Sequence, residues 1–343
     1  MASDQISTEP RNVGFLLIPG FAIISYAAAM EPLRAANVLS GRQLYRWTHI
    51  SPHGEFVDAS NGIRILCDSS IDAEPDLDLL LVCAGGNPAL FREPATFSWL
   101  RAQARRGVRI GGVAGGPYIL ARAGLLDNHR CTIHWEHIPA FAEEFPQIEL
   151  SRSLYEIAGN RPTCAGGIAA LDMMHALIAL DHGKELAAAV SEWFLQTHVR
   201  PSTGPQRMSI RERFGIPNAK LIRVIEHMQE NLEAPLSRET LADFVGVSVR
   251  QIERLFRTYL DTGFSEFYLT LRLERAKQLV HQTGMPLVEI ALACGFKSAS
   301  HFARAYARHW GKPPSSERRG ASLAEGANAR DLPYSEGELS DLL

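Results

Sequence analysis

Residues 111–117 read Gly-Gly-Val-Ala-Gly-Gly-Pro and lead from an apolar run into Ala121-Arg122-Ala123-Gly124-Leu125-Leu126. A strand, a sharp glycine turn and a helix in that order make a nucleophile elbow. Residue 114 would then stand exposed above a sheet, beside a helix N-terminus. A cysteine there would have a depressed pKa and act as a good nucleophile. The residue present is Ala114, and no neighbour from Gly111 to Pro117 can replace the missing thiol. His134, in Thr132-Ile133-His134-Trp135, cannot sustain covalent catalysis alone. Cys164 precedes another helix in Thr163-Cys164-Ala165-Gly166-Gly167 and is either an activated thiol or a structural one.

A second chemistry lies further on. Ser237 is placed to cap a helix reaching Val245 with Leu241 and Phe244 inward, Gly246 supplies a tight turn, and Ser248 with Gln251 forms a capping box. In the next helix Ile252, Leu255, Phe256 and Tyr259 recur as a buried face, leaving Arg250, Gln251, Arg254 and Arg257 outside. The arrangement repeats: Leu287–Cys294, a turn at Gly295, a cap at Ser298, then Phe302, Tyr306 and Trp310 inward and Ser300, His301, Arg304 and Arg308 outward. Arginine bonds guanine edges and phosphates, and glutamine bonds adenine. Two helices of this kind predict readers of the DNA major groove, Ser248–Tyr259 and Ser298–Trp310. An amphipathic helix near Glu266–Gln282, marked by Leu269, Leu273, Ala276 and Val280, would hold them apart at fixed separation. From spacing alone, an all-helical interaction domain with an arginine-rich surface stays open.

The elements that carry these residues follow from patterning. The chain has 343 residues, 46% hydrophobic and 21% charged, which fits two domains rather than one. Apolar runs at Val13–Ile18, Leu77–Val82 and Val108–Val113 end in glycine-containing turns and alternate with helical segments at Ile24–Asn37, Phe97–Arg105, Pro117–Ala123, Ile168–His182 and Glu185–Gln196. That alternation predicts an α/β domain, a parallel doubly wound sheet over residues 13–199 with ligand sites at its carboxyl rim. Residues 1–12 read as a flexible lead, 200–218 as a Pro- and Gly-rich linker, 219–320 as an all-α domain and 321–343 as a disordered acidic tail. Residues 217–320 hold 15 basic and 11 acidic side chains, against one and five in 321–343. No apolar run is long enough for a bilayer, and the N-terminus lacks a signal-peptide pattern, so a cytoplasmic protein without membrane contact is expected. Five scattered cysteines argue against a disulfide framework or structural zinc, and no metal or cofactor is expected.

Gly295-Phe296-Lys297-Ser298-Ala299-Ser300-His301-Phe302-Ala303-Arg304-Ala305-Tyr306, followed by Gly311-Lys312-Pro313-Pro314 and Arg318, resembles the signature of the AraC/XylS family. Leu271-Arg272-Leu273-Glu274-Arg275-Ala276 is similar to that family's linker helix. Glu317 departs from it where an aromatic residue is usual, and Glu266 where proline is common. The elbow and His134 resemble the ThiJ/PfpI branch of the class I glutamine-amidotransferase-like superfamily, whose fold is flavodoxin-like. That branch has a cysteine at the elbow and an acidic partner that Phe21-Ala22-Ile23-Ile24-Ser25 does not offer. The order of the two resemblances, with Met30–Asn37 and Asp172-Met173-Met174-His175, is similar to the GlxA-type group, which includes regulators responding to glycine betaine, carnitine and arginine.

The resemblance implies a catalytically dead sensor that controls a transcription regulator, chiefly an activator of catabolic genes. Its partners would be double-stranded promoter DNA, a small nitrogenous effector, RNA polymerase and a second copy of the chain. Strand-end placement offers Gly86, Ala114, Gly115, His134 and Trp135 as pocket residues, with Trp135 facing a cation and Glu31 pairing with it. Trp135 is more readily read as core, Glu31 as a partner of Arg34 one helical turn on, and His134 as an evolutionary remnant. The competing functions are an amidase-like enzyme with an appended DNA-binding domain, and an architectural DNA-binding protein with an inert first domain.

Overall fold

The computed structural model describes residues 9–318. The acidic tail 321–343 and most of the lead lie outside them. Residues up to Gln206 form one compact unit, and a second begins at Arg207.

In the first unit the elements run β1 (Arg11–Leu17), α1 (Ile23–Ser40), β2 (Tyr45–Ser51), β3 (Phe56–Asp58), β4 (Arg64–Leu66), β5 (Ser69–Ser70), β6 (Leu79–Ala84), α2 (Pro94–Arg105), β7 (Arg109–Ala114), α3 (Gly116–Arg122), β8 (Cys131–Thr132), α4 (Ile138–Glu144), β9 (Leu150–Ser151), β10 (Tyr155–Ala158), β11 (Arg161–Cys164), α5 (Ala169–His182) and α6 (Lys184–Trp193). Seven strands form one sheet in the order β10-β11-β7-β6-β1-β2-β5. All neighbours are parallel except β10 and β11. Past their first residues the central strands β1, β6 and β7 are apolar because both faces are covered. Phe15, Leu17, Leu81 and Cys83 point into a core shared with Leu33 of α1, Met173 of α5 and Val190 of α6. Leu16, Leu80, Val82 and Ala84 point into the opposite core with Leu100 of α2, Tyr118 of α3 and Phe141 of α4. This is the expected flavodoxin-like doubly wound architecture.

Two readings from sequence need correction here. Arg11 and Asn12 are not lead but the start of β1: the Asn12 amide donates to Asp78 at 2.7 Å and the Arg11 guanidinium pairs with Asp181 at 3.1 Å. The stretch 200–218 carries defined structure. Arg200 is bound to Asp172 at 2.6 Å, and Ser209 caps helix α7 (Ile210–Phe214) through a capping box.

The second unit continues with α8 (Ala219–Glu230), α9 (Arg238–Val245), α10 (Val249–Leu260), α11 (Phe264–Gln282), α12 (Leu287–Ala293) and α13 (Ala299–Trp310). Helix pairs α9–α10 and α12–α13 are the two helix-turn-helix motifs. Leu241, Val245, Ile252 and Phe256 fill one core and Ile290, Phe296, Phe302 and Tyr306 the other. Helix α11 contributes Phe264, Phe267, Tyr268 and Leu271 to the first and Leu273, Ala276, Leu279 and Val280 to the second. Two aromatic assignments fail. Phe244 lies outside, stacked on His227 at 4.3 Å with the Arg223 guanidinium 4.8 Å from its ring centre. Tyr259 is exposed because Phe256 is enclosed by Phe264 and Phe267, and the core ends one turn before it.

Both motif turns place glycine in the left-handed region, at φ 65° for Gly246 and 73° for Gly295. They differ in surroundings. A side chain at Gly246 would meet open space, whereas a Cβ at Gly295 would collide with the Leu232 carbonyl oxygen and fall 2.7 Å from Pro235. Gly246→Ala should therefore cost only the backbone strain, about 1–2 kcal/mol. Gly295→Ala adds a backbone collision and should cost more. Urea unfolding of both variants checks this, and equal losses would contradict it.

Candidate nucleic-acid interface and sensor rim

Helix α10 starts at Ser248, whose hydroxyl accepts from the Gln251 amide while the Gln251 side-chain oxygen accepts from the Ser248 amide at 2.8 Å. Burial of Ile252 and Phe256 fixes the helix roll. Arg250, Arg254 and Arg257 are thereby left on the side turned away from the core, at positions i, i+4 and i+7. Arg238, by contrast, is held by Glu253 at 2.8 Å. The capping box changes the role open to Gln251. Its carbonyl is engaged, so a bidentate bond to adenine would break the cap.

Helix α13 repeats the design. The Ser298 hydroxyl accepts from the His301 amide, Phe302 and Tyr306 are buried, and Ser300, Arg304 and Arg308 lie on the outward side. The Arg304 Nε donates to the Ser300 carbonyl at 3.3 Å, and the His301 ring lies edge-on to Phe296. Ser298 is committed to its cap.

Helix α11 anchors both motifs with polar contacts as well. The Tyr268 hydroxyl donates to the Asn231 carbonyl at 2.6 Å. The Arg272 Nε donates to the Cys294 carbonyl at 2.7 Å, and its guanidinium lies 4.1 Å from the centre of the Phe296 ring. Glu317, the residue in place of the usual aromatic, is buried against His281 at 3.0 Å and Lys312 at 3.4 Å. The Glu266 carboxylate sits in the first turn of α11, where the helix dipole favours it.

At the rim of the first unit the elbow is present in the backbone. Ala114 ends β7 at φ 57°, a left-handed conformation that costs a β-carbon residue about 1–2 kcal/mol. It is not exposed, however. Gly166 at φ 86° lies so close that a Cβ on it would fall 2.5 Å from the Ala114 methyl, and the Gly167 amide donates to the Ser25 hydroxyl at 2.7 Å. A Gly166–Gly167 turn held by α1 thus covers the elbow. Other rim loops are packed as closely. A Cβ on Gly85 would fall 2.7 Å from the Gly20 carbonyl oxygen, and one on Gly115 3.2 Å from Pro88. Gly86 is exposed beside them.

His134 reaches the elbow through its backbone, its amide donating to the Ala114 carbonyl at 3.3 Å. Its ring lies 5.4 Å from Trp135 and 5.7 Å from His137, with Glu136 at 3.9 Å. Burial lowers its pKa. Glu31 is paired with Arg34 at 2.7 Å, the structural alternative read from sequence. Cys164 is fully buried, accepts from the Gly166 amide at 3.1 Å, and burial pushes its thiol up to about 12. Sequence reasoning misses Ser25, Gly166 and Gly167 as parts of this rim. The Gly-Gly pair before α5 is the available signal, and the neighbouring Cys164 obscures it.

Comparison with known proteins gives the same two parts. Residues 15–180 match the DJ-1/PfpI family, and residues 241–320 match a helix-turn-helix domain model. The HTH-type transcriptional regulator GbdR of Pseudomonas aeruginosa is 45% identical over 92% of this chain and 86% of its own. CdhR of the same organism is 45% identical over 89% and 90%. GlxA of Rhizobium meliloti is 42% identical over 93% and 99%. A crystal structure of an AraC family transcriptional regulator from Pseudomonas putida is 30% identical and covers 54% of this chain and 100% of its own, with a TM-score of 0.50. Among the described residues no helix is long and apolar enough to cross a membrane.

Thiol chemistry checks the rim. On the native protein at mildly alkaline pH, iodoacetamide should leave Cys164 unmodified while labelling it after denaturation. Rapid native labelling would mean the thiol is activated after all.

Proposed function

Because the chain belongs to the HTH-type transcriptional regulators that join a DJ-1/PfpI unit to an AraC-type helix-turn-helix domain, we propose that it is a ligand-responsive regulator whose two readers, α10 and α13, enter successive major-groove segments on one face of promoter DNA. The observation that carries this is the pair of outward stripes, Arg250-Arg254-Arg257 and Ser300-Arg304-Arg308, on helices whose roll is fixed by two cores sharing α11. His301 would contact DNA beside them. Gln251 and Ser298, spent on caps, would present only their remaining polar atoms to phosphates.

The first unit is the control input in this reading and not an amidase. Ala114 supplies no nucleophile, and Gly166 covers it. The effector is proposed to be a small nitrogenous metabolite taken at the rim beside Gly86, His134 and Trp135, above the buried Ala114 and Gly115, with Trp135 offering its ring to a cation. Glu31 contributes only if it leaves Arg34. Residues 11–206 would be the sensor, 207–218 the connection and 219–320 the reader. Activation of catabolic genes by a cytoplasmic homodimer that recruits RNA polymerase completes the proposal, since paired half-sites raise affinity and spacing selectivity.

Arg254→Ala and Arg304→Ala should each weaken binding to the cognate promoter by about 1–3 kcal/mol, read by gel shift at fixed salt. Unchanged affinity and footprint in both would refute the reader assignment. A thermal-shift screen with betaines, carnitine, amino acids and polyamines should find at least one compound that raises the melting temperature of the wild type and fails to do so for Trp135→Ala. Glutamine or small-amide turnover lost on His134→Ala would instead revive the enzyme.

A further inference from the structure

The C-terminal segment of the first unit is tied to its rim by a dense set of hydrogen bonds. Asp172 lies in the first turn of α5 and is fully buried. Its carboxylate accepts from the Gln196 side chain at 2.7 Å, the Arg200 amide at 3.0 Å and the Arg200 guanidinium at 2.9 and 2.6 Å. Further along, the Leu154 amide donates to the Ser202 carbonyl at 2.7 Å. The Gln206 side-chain amide then donates to the Thr132 hydroxyl at 3.0 Å, the Ile133 carbonyl at 3.0 Å and the Ser153 carbonyl at 2.8 Å. Gln206 is the last residue before the second unit begins.

Both anchor points sit on elements that form the rim. α5 follows directly from the Gly166–Gly167 turn that covers Ala114, and Thr132-Ile133 leads into His134, whose amide is bonded to Ala114. The anchoring is also incomplete. The side-chain oxygens of Gln196 and Gln206 are buried without a hydrogen-bond partner, a condition that penalises the attached state. Three carbonyl or hydroxyl acceptors around the Gln206 nitrogen fix the amide's orientation, so this oxygen cannot be rescued by a flip.

We propose that residues 196–206 are the output latch of the sensor. Gln206 and Arg200 hold the chain's exit point against the rim, and displacement of His134 or of the Gly166–Gly167 turn releases it. The inference rests on the regulator reading above. It adds that control passes through the backbone exit at Gln206, the covalent route from rim to readers. A segment held by many bonds, yet left with buried unsatisfied oxygens, is poised between two arrangements whose balance small changes at the rim can shift.

The test uses the full chain and DNA selected by the wild type from a randomised pool. Gln206→Ala and Arg200→Ala are each compared with the wild type by hydrogen exchange at the Leu154 amide and at the backbone amide of position 200, and by affinity for the selected DNA. Faster exchange at these amides together with a change in affinity of about 5-fold or more supports the latch, since neither residue belongs to a reader. Opened amides with unchanged affinity would overturn it, as would amides that stay protected in both variants. Failure of the wild type to select any DNA would instead strike the regulator reading itself.

Discussion

Phe267 and Tyr268 on one half of α11, and Leu279 and Val280 on the other, are buried in two different cores. This 19-residue helix is about 28 Å long, so the sharing fixes α10 and α13 on one stiff rod. Neither motif can roll or slide without uncovering aromatic surface at its own end. Gly295 tightens the arrangement, because its lack of a side chain lets the α12–α13 turn press against the backbone at Leu232. The polar contacts of Tyr268 and Arg272 bind the rod to loops that apolar packing alone would leave free. The outward arginines matter only because this frame decides where they point.

The first unit keeps a strained elbow whose residue, Ala114, carries no nucleophile. A β-carbon residue at φ 57° at the end of β7 is the conformation an elbow nucleophile needs, yet the side chain is a methyl group covered by Gly166. Strain of this size persists only where surrounding structure overdetermines it. Here the surroundings are set by Gly111, Gly112 and Gly116. A Cβ on any of them would collide with backbone, at Pro162, Pro117 and Val82 respectively. The elbow has thus become a tight packing joint between β7, α3, the His134 segment and the turn before α5.

Much of this was legible in the sequence because apolar periodicity and glycine placement carry it. The parallel core strands follow from continuous apolar runs, both helix-turn-helix motifs from spacings of three and four residues, and their serine caps and the elbow from serine and glycine placement. The misreadings have physical causes. Strand β11 contains Arg161 and Pro162, which break the apolar signature, and β2 loses its alternation at Thr48-His49, so neither stands out. Phe244 and Tyr259 fall on inward helical positions, but hydrophobic spacing does not reveal where a core ends. Gln251 has the composition of a base reader, and only the hydrogen bond from the Ser248 amide shows its oxygen to be occupied. The linkage of Asp172 to Arg200 joins residues 28 apart in a segment that composition marks as loose.

The central claim is that α10 and α13 act as one bipartite reader of fixed span. It is tested most directly by measuring the affinity of the full chain for its selected DNA before and after inserting about 5 base pairs, half a helical turn, between the two protected half-motifs. The insertion moves one major-groove segment to the opposite face of the duplex. The rigid frame built on α11 predicts that high-affinity binding collapses and that one of the two protected patches disappears. Retention of affinity with both patches still protected would contradict it.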